Sequence, residues 1–168
     1  MKASGMFNLA DKVAVVTGGM GQLGIEYACA LMECGAKVAL MDMAKMPRVD
    51  DKRFYSAQEK GTLISYQVDI TDRESVSRAA DDLVRKWGTP HILVNNAALD
   101  APPNAPASEV GPFETYPLSS FRQVMDVNVT GMLICCQVIG GLMAEAGRGS
   151  IINISSIYGI LSPCQDIY

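Results

Sequence analysis

Two features near the N-terminus have the chemistry to hold a phosphorylated ligand: a glycine cluster and a carboxylate behind it. The cluster reads Thr17-Gly18-Gly19-Met20-Gly21-Gln22-Leu23-Gly24. Glycines in such a run let a backbone turn tightly and approach a diphosphate, whose charge then sits at the N-terminus of the following helix. Gly18, Met20, Gly21, Gln22, Leu23 and Gly24 are the residues expected at that contact. Asp42 stands 18 residues beyond Gly24. A carboxylate there can accept hydrogen bonds from the adenosine ribose hydroxyls and would repel a 2′-phosphate. No Lys or Arg lies within residues 17–24 to attract that phosphate, so NAD is favoured over NADP. Lys45 and Arg48, slightly downstream, are the residues that could reverse the preference. The alternative for Asp42 is a plain loop cap.

Other reactive residue types are scattered. The five cysteines (Cys29, Cys34, Cys135, Cys136 and Cys164) include no Cys-x-x-Cys pair, and a helix would point adjacent Cys135 and Cys136 in different directions. Reduced, partly buried thiols in a cytoplasmic protein are expected. His91, the only histidine, follows Thr89-Pro90 at the start of an apolar run. That end of a parallel strand is opposite the ligand face, so a structural role is expected. Asp100, Glu109 and Glu114 share a Pro-rich loop at irregular spacing and without histidine. A solvated loop is expected there, and no metal site.

The elements that must position these residues alternate between strand and helix signals. Lys12 to Thr17, Lys37 to Asp42, Thr62 to Val68, His91 to Asn95 and Ser150 to Ser155 are short apolar runs that read as five strands. Leu23 to Cys34 has helical spacing and ends at Gly35, a C-cap. Thr71, with Glu74 three residues on, reads as a capping box, and Val76, Ala79, Ala80, Leu83, Val84 and Trp87 continue the helix to Gly88. Leu118 to about Ala146 reads as one long helix, and the charged segment 43–61 as one irregular helix. Strands apolar on both faces and separated by helical crossovers predict a doubly wound α/β domain around a parallel sheet.

The bulk composition fits one globular domain. Of 168 residues, 49% are hydrophobic and 19% charged, and the net charge is −4. No basic run points to nucleic acid, and the acidic balance works against anionic membranes. The N-terminus lacks the apolar core of a signal peptide. The greasiest stretch, Gly131 to Met143, is interrupted by Gln137 and two glycines and is short for a membrane span.

Further motifs carry a resemblance. Asp69-Ile70 follows the third strand, Asn95-Asn96-Ala97-Ala98 the fourth, and Asn128-Val129-Thr130-Gly131 lies within the long helix. Ile151-Ile152-Asn153-Ile154-Ser155-Ser156 is followed, twelve residues after Ser156, by Tyr168. In this order and at these spacings the chain resembles the short-chain dehydrogenase/reductase family, over nearly all of its length. The resemblance implies a Rossmann fold, here the first five strands of a normally seven-stranded sheet, in a single NAD(P)-binding domain over residues 1–168. It implies that Asp69 and Ile70 contact adenine and that Asn96, Ala97 and Ala98 flank the cofactor. It also implies homodimers or homotetramers, with part of the long helix packing across a dimer axis.

The same resemblance assigns the chemistry. Hydride transfer between an alcohol carbon and nicotinamide needs the hydroxyl proton moved in step. Tyr168 is the implied general acid/base, although a free tyrosine, with a pKa of about 10, needs positive neighbours to serve near neutrality. Ser156 is preferred over Ser155 as the group polarising the substrate oxygen, because Ser156-Ile157-Tyr158-Gly159 is similar to the family's Ser-x-x-Gly turn. Asn128 is implied to hold a proton-relay water, and Tyr158 to wall the pocket. The expected activity is NAD-dependent interconversion of a secondary alcohol, such as a sugar or polyol, and a ketone.

Two departures set the alternatives. Gln22 stands where the family's Thr-Gly-x-x-x-Gly-x-Gly turn has its middle glycine, so the string fits Thr-Gly-x-x-Gly-x-x-Gly of the extended, sugar-nucleotide branch. Asn95-Asn96-Ala97-Ala98 argues for the short branch; an epimerase or dehydratase is the second reading. The family's lysine four residues after the tyrosine has no counterpart, because Tyr168 is the last residue. The expectation is an incomplete domain, inactive alone; a non-catalytic nucleotide-binding protein is the third reading.

Overall fold

The computed structural model describes residues 7–48, 50–100 and 113–161. Tyr168, Cys164, Glu109 and most of the Pro-rich loop lie outside the described residues. Five strands form one parallel sheet: β1 (Val13–Thr17), β2 (Lys37–Asp42), β3 (Leu63–Gln67), β4 (Ile92–Asn95) and β5 (Ser150–Asn153). Their order is β3-β2-β1-β4-β5, so the chain winds outward from β1 in one direction and then from β4 in the other. The register sets Val15 against Ala39 and Leu93, and Thr17 against Met41. Each expected strand is present, β2 with the expected bounds and the other four trimmed by a residue or two at one or both ends.

Strand alternation divides the core. Val13, Val15, Ala39, Met41 and Leu93 project to one face, where α3 (Arg73–Trp87) and α5 (Met132–Glu145) cover them with Val76, Leu83, Cys135 and Ile139. Ala14, Val16, Val38, Leu40 and Val94 project to the other, under α1 (Gln22–Glu33) and α2 (Lys52–Glu59), which supply Ile25, Ala28 and Phe54. The inner strands are therefore apolar on both faces along most of their length, which is why they read as greasy runs. Each fully buried Val, Leu or Ile contributes about 1.5–3 kcal/mol. Gly35 sits at φ +102° just past α1, as its C-cap reading requires.

Two local readings are corrected. The cap of α3 is Asp72, not Thr71: the Asp72 carboxylate accepts the Glu74 N–H at 2.9 Å. Thr71 instead donates its hydroxyl to Asp69 at 2.7 Å, which removes it from capping. The long helix is also not uniform. It comprises α4 (Leu118–Met125), a π turn (Asp126–Gly131) and α5. Among the described residues this 28-residue run is the one helix long and apolar enough to cross a membrane by length and composition. The apolar stretch 131–143 thus understates it, but Cys135, Ile139 and Met143 pack into the sheet core. Leu118, Phe121, Met125, Val129 and Leu133 remain exposed along it. Every residue of β5 is also exposed.

Candidate functional site

The order of strands reverses between β1 and β4, and the loops leaving their C-terminal ends diverge to open a crevice. A cavity of about 580 Å³ lies there, within the range of small-molecule sites. Its wall contains Gly18, Gly21, Gln22, Leu23 and Gly24 from the glycine turn, and Asp42 from the end of β2. Asp69 and Ile70 follow β3 in the same wall, and Asn96, Ala97 and Ala98 follow β4. One expected cofactor residue differs. Met20 is 1% exposed and packs in the α1/α2 face of the core, so only its backbone faces the turn.

Backbone geometry explains the glycines. Gly18 sits at φ +63°, and a Cβ there would meet Ala97 Cα at 2.8 Å. At Gly24 a Cβ would collide with the Gly18 carbonyl and with Gly19 Cα, so α1 approaches the turn only because Gly24 has no side chain. Gly21 is the N-cap of α1 and offers no side-chain cap, whereas Asp51 and Asp72 cap α2 and α3. The first-turn amides of α1 therefore face the cleft without a side-chain acceptor or an acidic residue among them. That arrangement suits a diphosphate.

Asp42 joins the turn to the loop behind it. Its Oδ2 accepts the Met20 N–H at 2.9 Å and its Oδ1 the Ala44 N–H at 2.8 Å. Each oxygen keeps a lone pair for a further donor, so loop cap and ribose acceptor are compatible. Asn96 performs a similar bridging task. Its side-chain nitrogen donates to the Thr17 and Gly18 carbonyls at 3.0 and 3.1 Å, while the Thr17 hydroxyl accepts the Asn96 and Ala97 N–H groups. Asp69 accepts both the N–H and the hydroxyl of Thr71.

The wall also contains residues that the sequence did not single out: Gln123 of α4, Asp126 and Val127 of the π turn, and Leu99. Arg48 lines it too, and its N–H donates to the Met20 carbonyl at 2.9 Å. The π turn is held from outside. Asn128 Oδ1 accepts the Leu99 N–H at 2.7 Å and its Nδ2 donates to the Leu99 carbonyl at 2.8 Å. Asn128 thus pins the loop leaving β4, with one acceptor position and one N–H left over. Such π turns occur preferentially at functional sites.

Ser156 is exposed, and its Oγ accepts the Tyr158 N–H at 3.1 Å, capping a short 3-10 turn, Ile157–Gly159. Its own hydroxyl proton is not used in that bond. Ser155 donates to the Ser156 carbonyl at 3.4 Å. His91 Nδ1 accepts the Val13 N–H at 3.2 Å at the opposite end of the sheet, a structural bond. Burial pushes the Cys135 thiol up to about 12 and also raises Cys29, so both stay protonated thiols without nucleophilic character.

The sequence model of the family described as short chain dehydrogenase matches residues 12–168. The chain is 35% identical over 153 residues to the 3-alpha-(or 20-beta)-hydroxysteroid dehydrogenase of Mycobacterium tuberculosis, covering 90% of this chain and 54% of that protein. It is 31% identical to the D-threitol dehydrogenase of Mycolicibacterium smegmatis, covering 89% of this chain and 54% of that protein. The crystal structure of an NAD+-bound xylitol dehydrogenase superposes with a TM-score of 0.80 at 32% identity, covering 92% of this chain and 56% of that one. The chain belongs to the short-chain dehydrogenase/reductase family. It spans about half the length of the curated relatives it matches.

Proposed function

We propose that the protein is an NAD-dependent oxidoreductase that interconverts a secondary alcohol and a ketone on a small polyol-, sugar- or steroid-like molecule. The observation that carries this reading is one cleft in which the uncapped α1 amides, the glycine cradle and the Asp42 carboxylate converge. The dinucleotide, when bound, supplies the hydride acceptor or donor. The chain's residues bind and orient it: the turn 18–24 takes the diphosphate, Asp42 the ribose hydroxyls, and Asp69 and Ile70 the adenine. Asp42 disfavours a 2′-phosphate, so NAD is preferred to NADP.

Ser156 donates its free hydroxyl proton to the substrate oxygen as negative charge develops there. Tyr168 moves the hydroxyl proton, and Asn128 holds the relay water with the capacity that Leu99 leaves free. Cys29, Cys34, Cys135 and Cys136 are free thiols, which suits a reducing, cytoplasmic setting. The apolar stripe from Leu118 to Leu133 suits contact between copies in a homodimer or homotetramer.

The test is the NADH absorbance of the full-length protein given NAD and a panel of polyols, sugars and hydroxysteroids. Reduction of NAD with at least one secondary alcohol is expected. No turnover of any alcohol or ketone with either NAD or NADP would overturn the reading. The Gly18, Gly21, Gly24 spacing favours a second reading, a sugar-nucleotide epimerase or dehydratase. Conversion of a nucleotide sugar with no net change in NADH would select it.

A further inference from the structure

We propose that Gly131, which is absent from the cleft wall, sets the width of the cleft's adenosine end by seating Ile70. The inference rests on the dinucleotide reading above. Ile70 lines the cleft just after β3 and is only 7% exposed. Its side chain lies over Gly131: a methyl built on that glycine would meet both Ile70 Cδ1 and Cγ1 at 2.7 Å, with the Asp126 carbonyl at 3.4 Å. Carbon atoms in a packed interior do not approach so closely, so either the π turn or Ile70 would have to move.

The surroundings decide which way. Gly131 is buried and closes the π turn whose Asp126 and Val127 are themselves cleft wall. Ile70 belongs to the packed core cluster that also holds Val76, Cys135 and Ile139, all at 0% exposure. The cleft is the open volume beside Ile70, so an added methyl drives Ile70 into the space where adenine would lie. Gly131 is therefore a positioning residue. It lines no part of the cleft; it is the recess that keeps Ile70 back.

The test compares Gly131→Ala with Gly131→Ala/Ile70→Ala in the full-length protein, because alanine at 70 removes both atoms that the new methyl meets. The single variant is expected to raise the NADH Kd and the NAD KM about tenfold, with kcat at saturating NAD changed by less than about twofold. Removing Ile70 Cγ1 and Cδ1 together in the double variant is expected to recover part of that loss. A single variant that binds NADH like the parent, or a double variant no better than the single, overturns the inference. Should Gly131→Ala fold poorly, Ile70→Ala supplies the reciprocal measurement with etheno-adenine NAD, whose base is bulkier. Ile70→Ala is expected to raise the use of that analogue relative to NAD, and adding Gly131→Ala to refill the space should reverse the gain. An unchanged ratio overturns the inference. A parent protein that binds neither NAD nor NADP is a separate result: it sinks the dinucleotide reading and this inference with it.

Discussion

Replacing Asp42 with asparagine separates charge and acceptor count from shape. The native carboxylate accepts two backbone N–H groups, Met20 on Oδ2 and Ala44 on Oδ1. Asparagine has the same outline but one carbonyl oxygen, so one of those amides must face an NH2 group. A hydrogen bond to a charged acceptor contributes about 1.5–3 kcal/mol, and the facing donors add a penalty. Asp42→Asn is therefore expected to destabilise the cofactor-free protein by about 2–3 kcal/mol. In a domain of this size that lowers Tm by roughly 4–12 °C. Because the same oxygens are assigned to the ribose, the NADH Kd should also rise tenfold or more, about 1.4 kcal/mol at least. Thermal melts of the full-length variant with and without NADH read both effects. An unliganded Tm within about a degree of the parent would refute the bridging argument. A lowered Tm with an unchanged Kd would leave Asp42 as a loop cap alone.

Gly24→Ala is expected to destabilise the fold by about 1–3 kcal/mol or more, because the new methyl meets the Gly18 carbonyl and Gly19 Cα; a variant with the parent's melting temperature would contradict this. His91 is held below its ordinary value of 6.5 by burial first, then by Arg148 and Lys12. Its contribution to stability is present above that value and is lost as pH falls through the lowered native one, since the unfolded chain takes up the proton first. Melts across mildly acidic pH should show the decline, and His91→Gln should flatten it; equal slopes would refute the assignment. In the full-length protein, Tyr168→Phe should lower kcat by about 10²–10⁴-fold with little change in NADH Kd. Near-parental turnover would remove Tyr168 from the proton transfer.

Much of this arrangement is legible in the sequence because its determinants are local. The strands announce themselves through runs buried on both faces, Val13 to Thr17 being the clearest. Gly35 and Gly88 mark helix ends by the positive φ that each adopts. The cleft follows from strand, glycine turn and helix taken together, so the residues around Gly18 to Gly24 and Asp42 are legible in the sequence itself. What fails is set by partners distant in sequence or by competition between neighbours. Within the π turn Asn128 pairs with Leu99, 29 residues away, and no helical periodicity carries that information. Thr71 matches the capping pattern, yet the Asp69 carboxylate claims its hydroxyl and Asp72 caps instead. Met20 lies within the motif, but the turn sends its side chain into the core. Gln123, Asp126 and Val127 become cleft wall where the π turn packs its Gly131 against Ile70 beyond β3, a packing fact.

The claim on which the rest depends is that the turn from Thr17 to Gly24 and Asp42 together hold a nicotinamide dinucleotide. Isothermal calorimetry of the full-length protein with NADH tests it most directly. Saturable heat at one site per chain is predicted, weakened by Gly24→Ala and by Asp42→Asn. No heat with NADH, NAD or NADPH from a folded protein would contradict it.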